Sequence, residues 1–238
     1  MKHASKKWLL ITGVSTAGKS FIGDCLPESM FFTPVSDTTR PPRSHEMNGI
    51  DYYFVNNDFK EKALKGLYIE TTEFVGNSYG VTYEEISKAN GRIIAHVCDW
   101  SGLSVLSNRY DSLRVFIDIA PRDIISRMLA RWMDNEKEDL EYLAKRIHHA
   151  LTVEMEWSGM VDIYYSDSDE FKKDMPSLVR NLINQEYKPK PFKIKRSSKY
   201  KLLHVEPILQ FLTNSSRPRR GEIHKTMSSE LLAIINQY

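Results

Sequence analysis

The chain has 238 residues, of which 41% are hydrophobic and 27% are charged, a composition typical of one globular domain or of one domain with an appendage. No apolar run approaches the roughly 18 to 20 residues of a membrane-spanning helix, and the basic N-terminus lacks the apolar core of a signal peptide. We therefore expect a cytoplasmic protein that makes no membrane contact.

The first half of the chain predicts two strands, a helix and a long insertion. KKWLLITG is a short apolar run closed by glycine, which predicts a buried strand over about residues 8–12. The helical stretch KSFIGDCL follows and ends at Pro27, and MFFTPVS is a second strand-like run. A polar and aromatic insertion then covers about residues 36–82, with a helix that Asp58 would cap and Gly66 would end.

The second half alternates strands and helices more regularly. RIIAHVCD and SLRVFIDIA are near-continuous apolar runs, typical of strands covered on both faces, and a helical stretch follows each. KEDLEYLAKRIHHALTVEMEW predicts a long amphipathic helix and VDIYYSD a last strand, before a closing helix for which Pro176 is a candidate second start. This alternation predicts an α/β fold with a central parallel sheet flanked by helices.

The last part of the chain differs from the rest in charge. Residues 186–238 contain 11 Lys and Arg against 4 Asp and Glu, whereas the remainder of the chain contains 22 against 27. KPKPFKIKRSSKYK predicts a linker, and two short helical patterns follow it. The basic segment is either a solvated tail or small helical cap, or a surface for weak contact with nucleic acid or another polyanion.

The segment Gly13–Ser20 fits the pattern G-x-x-x-x-G-K-S, with the predicted strand before it and the predicted helix after it. Glycines let the backbone wrap so tightly that successive N–H groups point at phosphate oxygens, and the helix N-terminus adds its positive dipole end. The lysine would reach the β- and γ-phosphates, and the serine hydroxyl would bind Mg²⁺. The pattern predicts a nucleotide-binding loop whose contacts are Gly13, Ser15, Gly18, Lys19 and Ser20.

The stretch TTRPPRSHEMNGIDYYFV, residues 38–55, predicts a second phosphate site. A kinase that holds a donor triphosphate and a phosphorylated acceptor must neutralise two anions that repel each other. Arg40 and Arg43 suit the acceptor phosphate, because each guanidinium can form paired hydrogen bonds to phosphate oxygens. Neutral hydroxyls for the remaining lone pairs are available on Ser36, Tyr52 and Tyr79.

This stretch resembles the acceptor-site motif of the guanylate kinases. That motif has Thr and Ser or Thr before an Arg, then Lys or Arg, an acid, Gly and Tyr at three-residue steps, and an aromatic and an aliphatic residue at its end. The matching positions are Thr38, Thr39, Arg40, Arg43, Glu46, Gly49, Tyr52, Phe54 and Val55. Further on, YIETTEFVGNSYG is similar to the family segment that ends in Gly-Asn-x-Tyr-Gly, and VCDWSG resembles a segment at the end of a strand.

The resemblance implies roles for three acceptor-site residues. Glu70 occupies the acidic position that meets the base, and Tyr79 the tyrosine position that meets the acceptor phosphate. Asp99 occupies an acidic position near the metal and the phosphates, where it is expected to orient water bound to the metal. ATP is then the expected phosphate donor, and Mg²⁺ the expected cofactor.

The resemblance also implies a P-loop kinase fold for residues 6–186, followed by a basic extension at 187–238. An inserted acceptor-binding subdomain of mixed β and α structure is expected at about 36–90, and a lid at about 131–142. Arg127 and Arg131 match the paired arginines on the helix that enters the lid, and Arg146 resembles the arginine on the helix that leaves it. These arginines would cover the transferring phosphate, although Arg146 equally fits a solvated helix face.

Two positions depart from the family pattern where guanine is recognised. Val81 follows Tyr79 and Gly80 where the family usually carries Ser or Thr, and Val97 stands where it usually has its first Asp. Because a hydrophobic side chain cannot hydrogen-bond a base, the phosphate site is intact while much of the guanine-recognition site is missing. His96 precedes Val97 and is expected to be a core or wall histidine, since nothing else in the sequence pairs with it.

Three functions remain open from the sequence. The first is ATP-dependent phosphoryl transfer to a nucleoside monophosphate, which is GMP, dGMP or a relative with an altered base. The second is a phosphokinase of the ribose 1,5-bisphosphate type, against which the complete acceptor motif argues. The third is a non-catalytic guanylate-kinase-like binding module, although such modules have typically lost the phosphate loop that this chain keeps. We favour the first function, because both phosphate motifs are present.

Overall fold

The computed structural model describes residues 8–43, 45–134, 140–154, 157–166, 168–183 and 191–195. The helices predicted near the C-terminus, and with them most of the predicted polyanion surface, lie outside the described residues. The chain forms two compact units. Among the described residues, the first unit takes those within 8–13, 17–118 and 160–193, and the second takes those within 14–16, 119–159 and 194–195.

The strands of the described residues are β1 (Trp8–Gly13), β2 (Phe31–Phe32), β3 (Asp37–Thr38), β4 (Tyr53–Phe54), β5 (Tyr68–Phe74), β6 (Asn77–Thr82), β7 (Ile93–Val97), β8 (Ser112–Ile117), β9 (Ser158–Val161), β10 (Ile163–Tyr165) and β11 (Phe192–Lys195). The helices are α1 (Lys19–Cys25), α2 (Asp58–Leu64), α3 (Tyr83–Ser87), α4 (Trp100–Arg109), α5 (Pro121–Asp134), α6 (Leu140–Thr152) and α7 (Ser168–Ile183).

The central sheet belongs to the first unit and has the order β10-β8-β1-β7-β2, with every neighbouring pair parallel. All six residues of β1 are buried, as expected for the middle strand of a covered parallel sheet. The predicted α/β fold is therefore confirmed. Because parallel strands end at one edge, the loops after β1 and β7 are neighbours, and the Cys98 N–H donates to the Ile11 carbonyl oxygen at 3.0 Å.

The insertion predicted at residues 36–82 forms a second sheet of the first unit, with the order β4-β3-β6-β5. β5 and β6 make an antiparallel hairpin whose turn has Val75 at a φ of 49° and Gly76 at a φ of 76°. β3 and β4 have only two residues each, which is too short for an alternating pattern to indicate a strand. Within this sheet, β5 packs against α4, and its residue Glu70 contacts His96 on β7.

Two predicted helix signals in the first unit were wrong. α2 begins after Asn57, so Asp58 is its first residue and not its cap. α7 continues through Pro176, so this proline does not start a second helix. A proline inside a helix removes one backbone hydrogen bond, and the burial of Phe171 and Leu178 on the same helix offsets that loss.

The second unit is built mainly from α5 and α6, which pack against each other. Ile124 and Met128 on α5 are fully buried, as are Leu143 and Ile147 on α6. The two positions on each helix are four residues apart and so lie on one face, which gives each helix an apolar face, as its sequence predicted. α6 ends at Thr152, before the end of the helix predicted from the sequence. None of the helices in the described residues is long and apolar enough to cross a membrane.

Candidate functional site

The loop between β1 and α1 has a tightly wound backbone. Thr16 and Gly18 have φ angles of 62° and 85°, which lie in the left-handed region that favours glycine. A Cβ atom on Gly13 would lie 2.1 Å from the carbonyl oxygen of Ile117, so the close contact between β1 and β8 leaves no room for a side chain. The glycines of the predicted phosphate loop are thus required by its local geometry.

Lys19 begins α1, and its ammonium folds back over the loop. The Nζ atom donates to the carbonyl oxygen of Gly13 at 2.8 Å. The ammonium also acts on the thiol of Cys98 at the end of β7. Burial raises the pKa of that thiol, the carboxylates of Glu70 and Asp99 raise it further, and the positive charge of Lys19 opposes the shift. The predicted donor-site lysine and acceptor-site acids therefore lie within electrostatic reach of one buried group.

Ser15, in the second unit, gives both of its donors to one carboxylate. Its backbone N–H donates to Glu154 Oε2 at 2.7 Å, and its hydroxyl donates to Glu154 Oε1 at 2.6 Å. Glu154 is buried, and Nδ1 of His149 lies 3.6 Å from its Oε1 atom. A phosphate-loop N–H therefore already binds an internal anion, and the predicted phosphate contact of Ser15 stays a prediction. The sequence did not indicate Glu154, because it lies 139 positions from Ser15.

The arginines predicted for the lid also belong to the second unit. Nη1 of Arg127 donates to the carbonyl oxygen of Thr16 at 3.1 Å, which ties α5 to the phosphate-loop residues of this unit. Arg131 is exposed near the end of α5. Arg146 is only 4% exposed, and its guanidinium lies 6.0 Å from the ring centroid of Tyr142. A solvated helix face, the alternative considered for Arg146, is therefore wrong.

In the first unit, Glu46 holds Arg40 and Arg43 side by side. Arg40 Nη2 and Arg43 Nη1 donate to Glu46 Oε1 at 2.8 and 2.9 Å, and the backbone N–H of Arg43 donates to Oε2 at 2.8 Å. The side chains of Arg40 and Glu46 are 6% and 5% exposed, so this ion pair is buried. Burial by itself favours the neutral carboxyl group, but these donors outweigh it and lower the pKa of Glu46.

Aromatic rings surround the guanidinium of Arg40. Its central carbon lies 5.3 Å from the ring centroid of Tyr52 and 5.9 Å from that of Phe54. The ring of Tyr52 meets that of Tyr79 edge-on, with the centroids 5.9 Å apart. Burial raises the pKa of Tyr52, so its hydroxyl group stays protonated and can donate. We call Arg40, Arg43, Glu46, Tyr52 and Tyr79 the phosphate clamp.

The strand order of the second sheet explains how the phosphate clamp assembles. β3 lies between β4 and β6, so Thr38 pairs with Phe54 on one side and with Tyr79 on the other. The N–H of Tyr53 donates to the carbonyl oxygen of Ser36 at 2.9 Å, which places Ser36 beside β4. The sheet therefore brings together segments that hold the residues predicted for the acceptor phosphate: those flanking β3 and β4, and Tyr79 within β6.

Glu70 and His96 form a buried pair between the two sheets. Nε2 of His96 lies 3.2 Å from Oε1 of Glu70, and the two side chains are 3% and 5% exposed. The other carboxylate oxygen, Oε2, is buried and has no hydrogen-bond partner among the described residues. His96 is a core histidine as expected, but the expectation that nothing pairs with it was wrong. The pairing depends on two residues 26 positions apart.

Asp99 caps α4, and both of its carboxylate oxygens accept hydrogen bonds. Oδ1 accepts from the N–H of Gly102 at 2.7 Å, and Oδ2 accepts from the hydroxyl of Thr72. Its predicted place near a metal ion stays a prediction. The side chain of Ser20, the other predicted metal contact, is not among those described. Within the described part of the chain, no group of three or more His, Cys, Asp or Glu residues could hold a metal ion.

The two valines at the predicted base site differ in their surroundings. Val81 is 0% exposed and packs in a core cluster with Trp8, Leu10 and Ile86. It pairs with Glu70 across the β5–β6 ladder, so an apolar side chain stands next to the acid expected to meet the base. Val97 is half-buried at the end of β7. Neither side chain can hydrogen-bond a base.

Three residues of the candidate site were missed or given no role from sequence alone, namely Glu46, His96 and Glu154. Glu46 follows Arg43 by three residues and Arg40 by six, and this spacing is the one local signal that could have indicated its role. The other two partners depend on packing between distant segments, for which a single sequence carries no signal. The predicted acceptor-phosphate residues, by contrast, are brought together by the fold.

Comparison with known proteins identifies the relatives of this chain. The sequence profile of the guanylate kinase family matches residues 5–181. The guanylate kinase of Escherichia coli K12 is 31% identical over 182 residues, which are 72% of this chain and 86% of that protein. The guanylate kinase of Trichormus variabilis is 31% identical over 176 residues, which are 70% of this chain and 84% of that protein.

Solved structures agree with these relatives on the fold. The crystal structure of guanylate kinase from Anaplasma phagocytophilum superposes with a TM-score of 0.51 and a sequence identity of 19%. The superposition covers 90% of this chain and 98% of that one. At this identity, the similarity supports the P-loop kinase fold alone.

Proposed function

The chain belongs to the guanylate kinase family of nucleoside monophosphate kinases, and from this premise we propose that it transfers the γ-phosphoryl group of ATP to a nucleoside monophosphate. The observation that carries the proposal is the phosphate clamp, in which Glu46 aligns Arg40 and Arg43 beside the hydroxyls of Tyr52 and Tyr79. Two adjacent guanidiniums, buried at Arg40 and partly exposed at Arg43, are held by a single carboxylate and leave several N–H donors for a phosphate dianion.

The donor triphosphate would bind the loop Gly13–Ser20. The left-handed residues of this loop and the N-terminus of α1 supply backbone N–H groups, and Lys19 supplies a positive charge. Mg²⁺, when bound, would offset charge on the β- and γ-phosphate oxygens, held by the hydroxyl of Ser20 and through water by Asp99. Gly13 is required in this loop, because a Cβ there would collide with Ile117.

The acceptor phosphate would be held by the phosphate clamp, with Ser36 as a further hydroxyl contact. It needs no strong general base, because the second pKa of a phosphate monoester is about 6 and the group is largely ionised at neutral pH. Catalysis then depends on alignment and on charge stabilisation. We assign the stabilisation of the transferring phosphate to Lys19 and to the lid arginines Arg127, Arg131 and Arg146.

The base of the acceptor would meet Glu70. A carboxylate accepts hydrogen bonds from ring N–H and amino groups, so guanine in GMP or dGMP is one candidate base. Val81 and Val97 provide no hydrogen bonds to a base, and for this reason we keep a relative of guanine with altered donors as the other candidate. Closure of the acceptor segment and lid over both substrates would exclude water from the reaction.

The test is a turnover assay of the full chain with ATP and Mg²⁺, using GMP, dGMP, IMP, UMP, dTMP and ribose 1,5-bisphosphate as acceptors. We expect turnover of at least one nucleoside monophosphate and a loss of roughly 10² to 10³ in kcat for Lys19→Ala. Lys60→Ala, on the exposed side of α2, is the matched control and should leave kcat unchanged. Turnover of the sugar bisphosphate alone, or acceptor binding without any turnover, would contradict the proposal.

A further inference from the structure

We propose that His96 determines which base the acceptor site selects. It occupies one oxygen of the Glu70 carboxylate, so that the site prefers a base with a single ring N–H and no neighbouring amino group over guanine. This inference rests on the proposed function, since it concerns the base of the proposed acceptor. It concerns a residue to which neither the sequence motifs nor the phosphate chemistry gave a role.

The first step is the direction of the hydrogen bond between His96 and Glu70. The two atoms, Nε2 and Oε1, lie 3.2 Å apart, and both side chains are more than nine-tenths buried. An ionised carboxylate oxygen can only accept, so the proton of this bond belongs to Nε2 of the imidazole. The hydrogen bond also offsets the desolvation free energy of a buried carboxylate, which is on the order of several kcal/mol when no donor is present.

The second step is the state of the other oxygen. Oε2 of Glu70 is buried and has no hydrogen-bond partner among the described residues, although a buried carboxylate oxygen normally has one. It lies beside the start of α4, where a Cβ added to Gly102 would be 3.2 Å away. A side chain at Gly102 would crowd this oxygen, so the glycine keeps it free of a local contact, and an unpartnered, buried acceptor is suited to a donor from a ligand.

The third step is the lack of a second acceptor for an amino group. Val81 is fully buried and apolar, and it stands opposite Glu70 in the β5–β6 ladder. Asp99 is the other acid of this region, and its two oxygens already accept from Gly102 and Thr72. Oε2 is therefore the carboxylate oxygen of this part of the site that has no hydrogen bond among the described residues, and a second donor from a base would have to share Oε1 with His96.

These steps translate into a class of base. Guanine presents two donors side by side, the N1–H and the 2-amino group, and would need both carboxylate oxygens in parallel. Hypoxanthine, uracil and thymine each present one ring N–H beside a carbonyl and would need one oxygen. A guanine amino group that must share Oε1 with His96 gains a weaker hydrogen bond than those it gives up to water, and this loss disfavours guanine. The shared chemistry is a lone ring N–H, which purines and pyrimidines can both supply.

The experiment compares acceptors that differ at a single group. IMP and GMP differ only in the 2-amino group, so the ratio of their kcat/KM values isolates it, and UMP and dTMP separate a purine from a pyrimidine source. The ratio of the binding affinities for IMP and GMP is also measured, by displacement titration without ATP, so that this comparison requires no turnover. We expect wild-type protein to bind and phosphorylate IMP at least as well as GMP.

The variant His96→Leu tests the cause. It removes the donor and frees Oε1, so the preference should shift toward GMP by about tenfold, the effect of roughly one hydrogen bond. His96→Gln keeps an N–H donor and should retain the wild-type ratio, and the exposed residue His148 on α6 gives the control His148→Leu. The shift should occur mainly in KM and in binding affinity, because His96 contacts Glu70, the residue proposed to meet the base.

Two results would overturn the inference. One is a preference of wild-type protein for GMP over IMP by tenfold or more, and the other is an unchanged ratio in His96→Leu with its fold verified by thermal unfolding. If His96→Leu does not fold, the comparison of His96→Gln and wild-type protein on IMP and GMP still decides the question, since both must prefer IMP. Failure of the proposed kinase function would appear separately, as binding of nucleotides without turnover.

Discussion

The phosphate clamp and the base site lie in the same compact unit, yet their polar groups are arranged in opposite ways. In the clamp, the buried carboxylate of Glu46 accepts hydrogen bonds from two arginines. Both of its oxygens are bonded to Arg40 or Arg43. In the base site, the buried carboxylate of Glu70 has one imidazole partner, and its Oε2 atom has no hydrogen-bond partner among the described residues. Surplus donors suit an anion, and a surplus acceptor suits a neutral base that donates.

The comparison also separates affinity from selectivity. A phosphate is common to every nucleotide, so the clamp should act on all acceptors equally. The hydrogen-bonding pattern differs from base to base, so changes at Glu70, His96 or Val81 should alter the ratio between acceptors. The predictions that follow test this division, from the largest expected effect to the smallest.

Replacing Arg40 with methionine should have the largest effect. The change removes one guanidinium of the clamp and leaves Glu46 buried with one partner fewer, so kcat/KM should fall by roughly 10² to 10³ for every acceptor. Steady-state kinetics with IMP and GMP would measure it, with Lys60→Met as the control for loss of a surface charge. A loss confined to one acceptor would contradict the division between clamp and base site.

Replacing Glu46 with glutamine should have an intermediate effect on KM, and it should also change how the stability of the protein depends on pH. The pKa of Glu46 lies below its usual value of 4.5 in the folded protein, so its contribution to stability is present above that value and is lost as pH falls through the lower, folded pKa. The free energy of unfolding, measured with urea, should therefore fall less between pH 6 and pH 3 in the variant than in the wild-type protein.

At neutral pH, the same Glu46→Gln variant should raise KM for all acceptors by about tenfold, because a neutral amide holds the two arginines less firmly. Asp51→Asn, an exposed acid close by in sequence, is the matched control. An identical pH dependence in wild-type protein and Glu46→Gln would show that this carboxylate does not provide the acid-sensitive part of the stability.

Replacing Val81 with threonine should have the smallest effect on turnover but should change selectivity. It places a hydroxyl beside Glu70 at nearly constant volume, and kcat/KM for GMP relative to IMP should rise by about fivefold. The buried hydroxyl should lower the free energy of unfolding by roughly 1 to 3 kcal/mol. Val81→Ala also removes apolar contact but adds no hydroxyl, and an equal ratio of GMP to IMP turnover in both variants would contradict the prediction.

The sequence predicted the fold and the tight loop after the first strand well, because local patterns suffice for both. Apolar runs of β1, β7 and β8 indicated a parallel sheet, since strands buried on both faces carry few polar residues. The glycines at 13 and 18 indicated a tight loop, and the structure gives both of them positive φ angles. The strands β3 and β4 could not be predicted, because two residues show no periodicity.

Residue identity by itself determined the groups proposed to bind phosphate and the absence of polar side chains at Val81 and Val97. These features depend on side-chain chemistry and on spacing within short segments, which a sequence states directly. Only the tertiary structure decided that Glu154 holds Ser15, that Glu46 aligns the arginines, and that His96 takes one oxygen of Glu70. A hydrogen bond between distant segments depends on how sheets and helices pack, and it is this packing that sets which acceptor remains for a base.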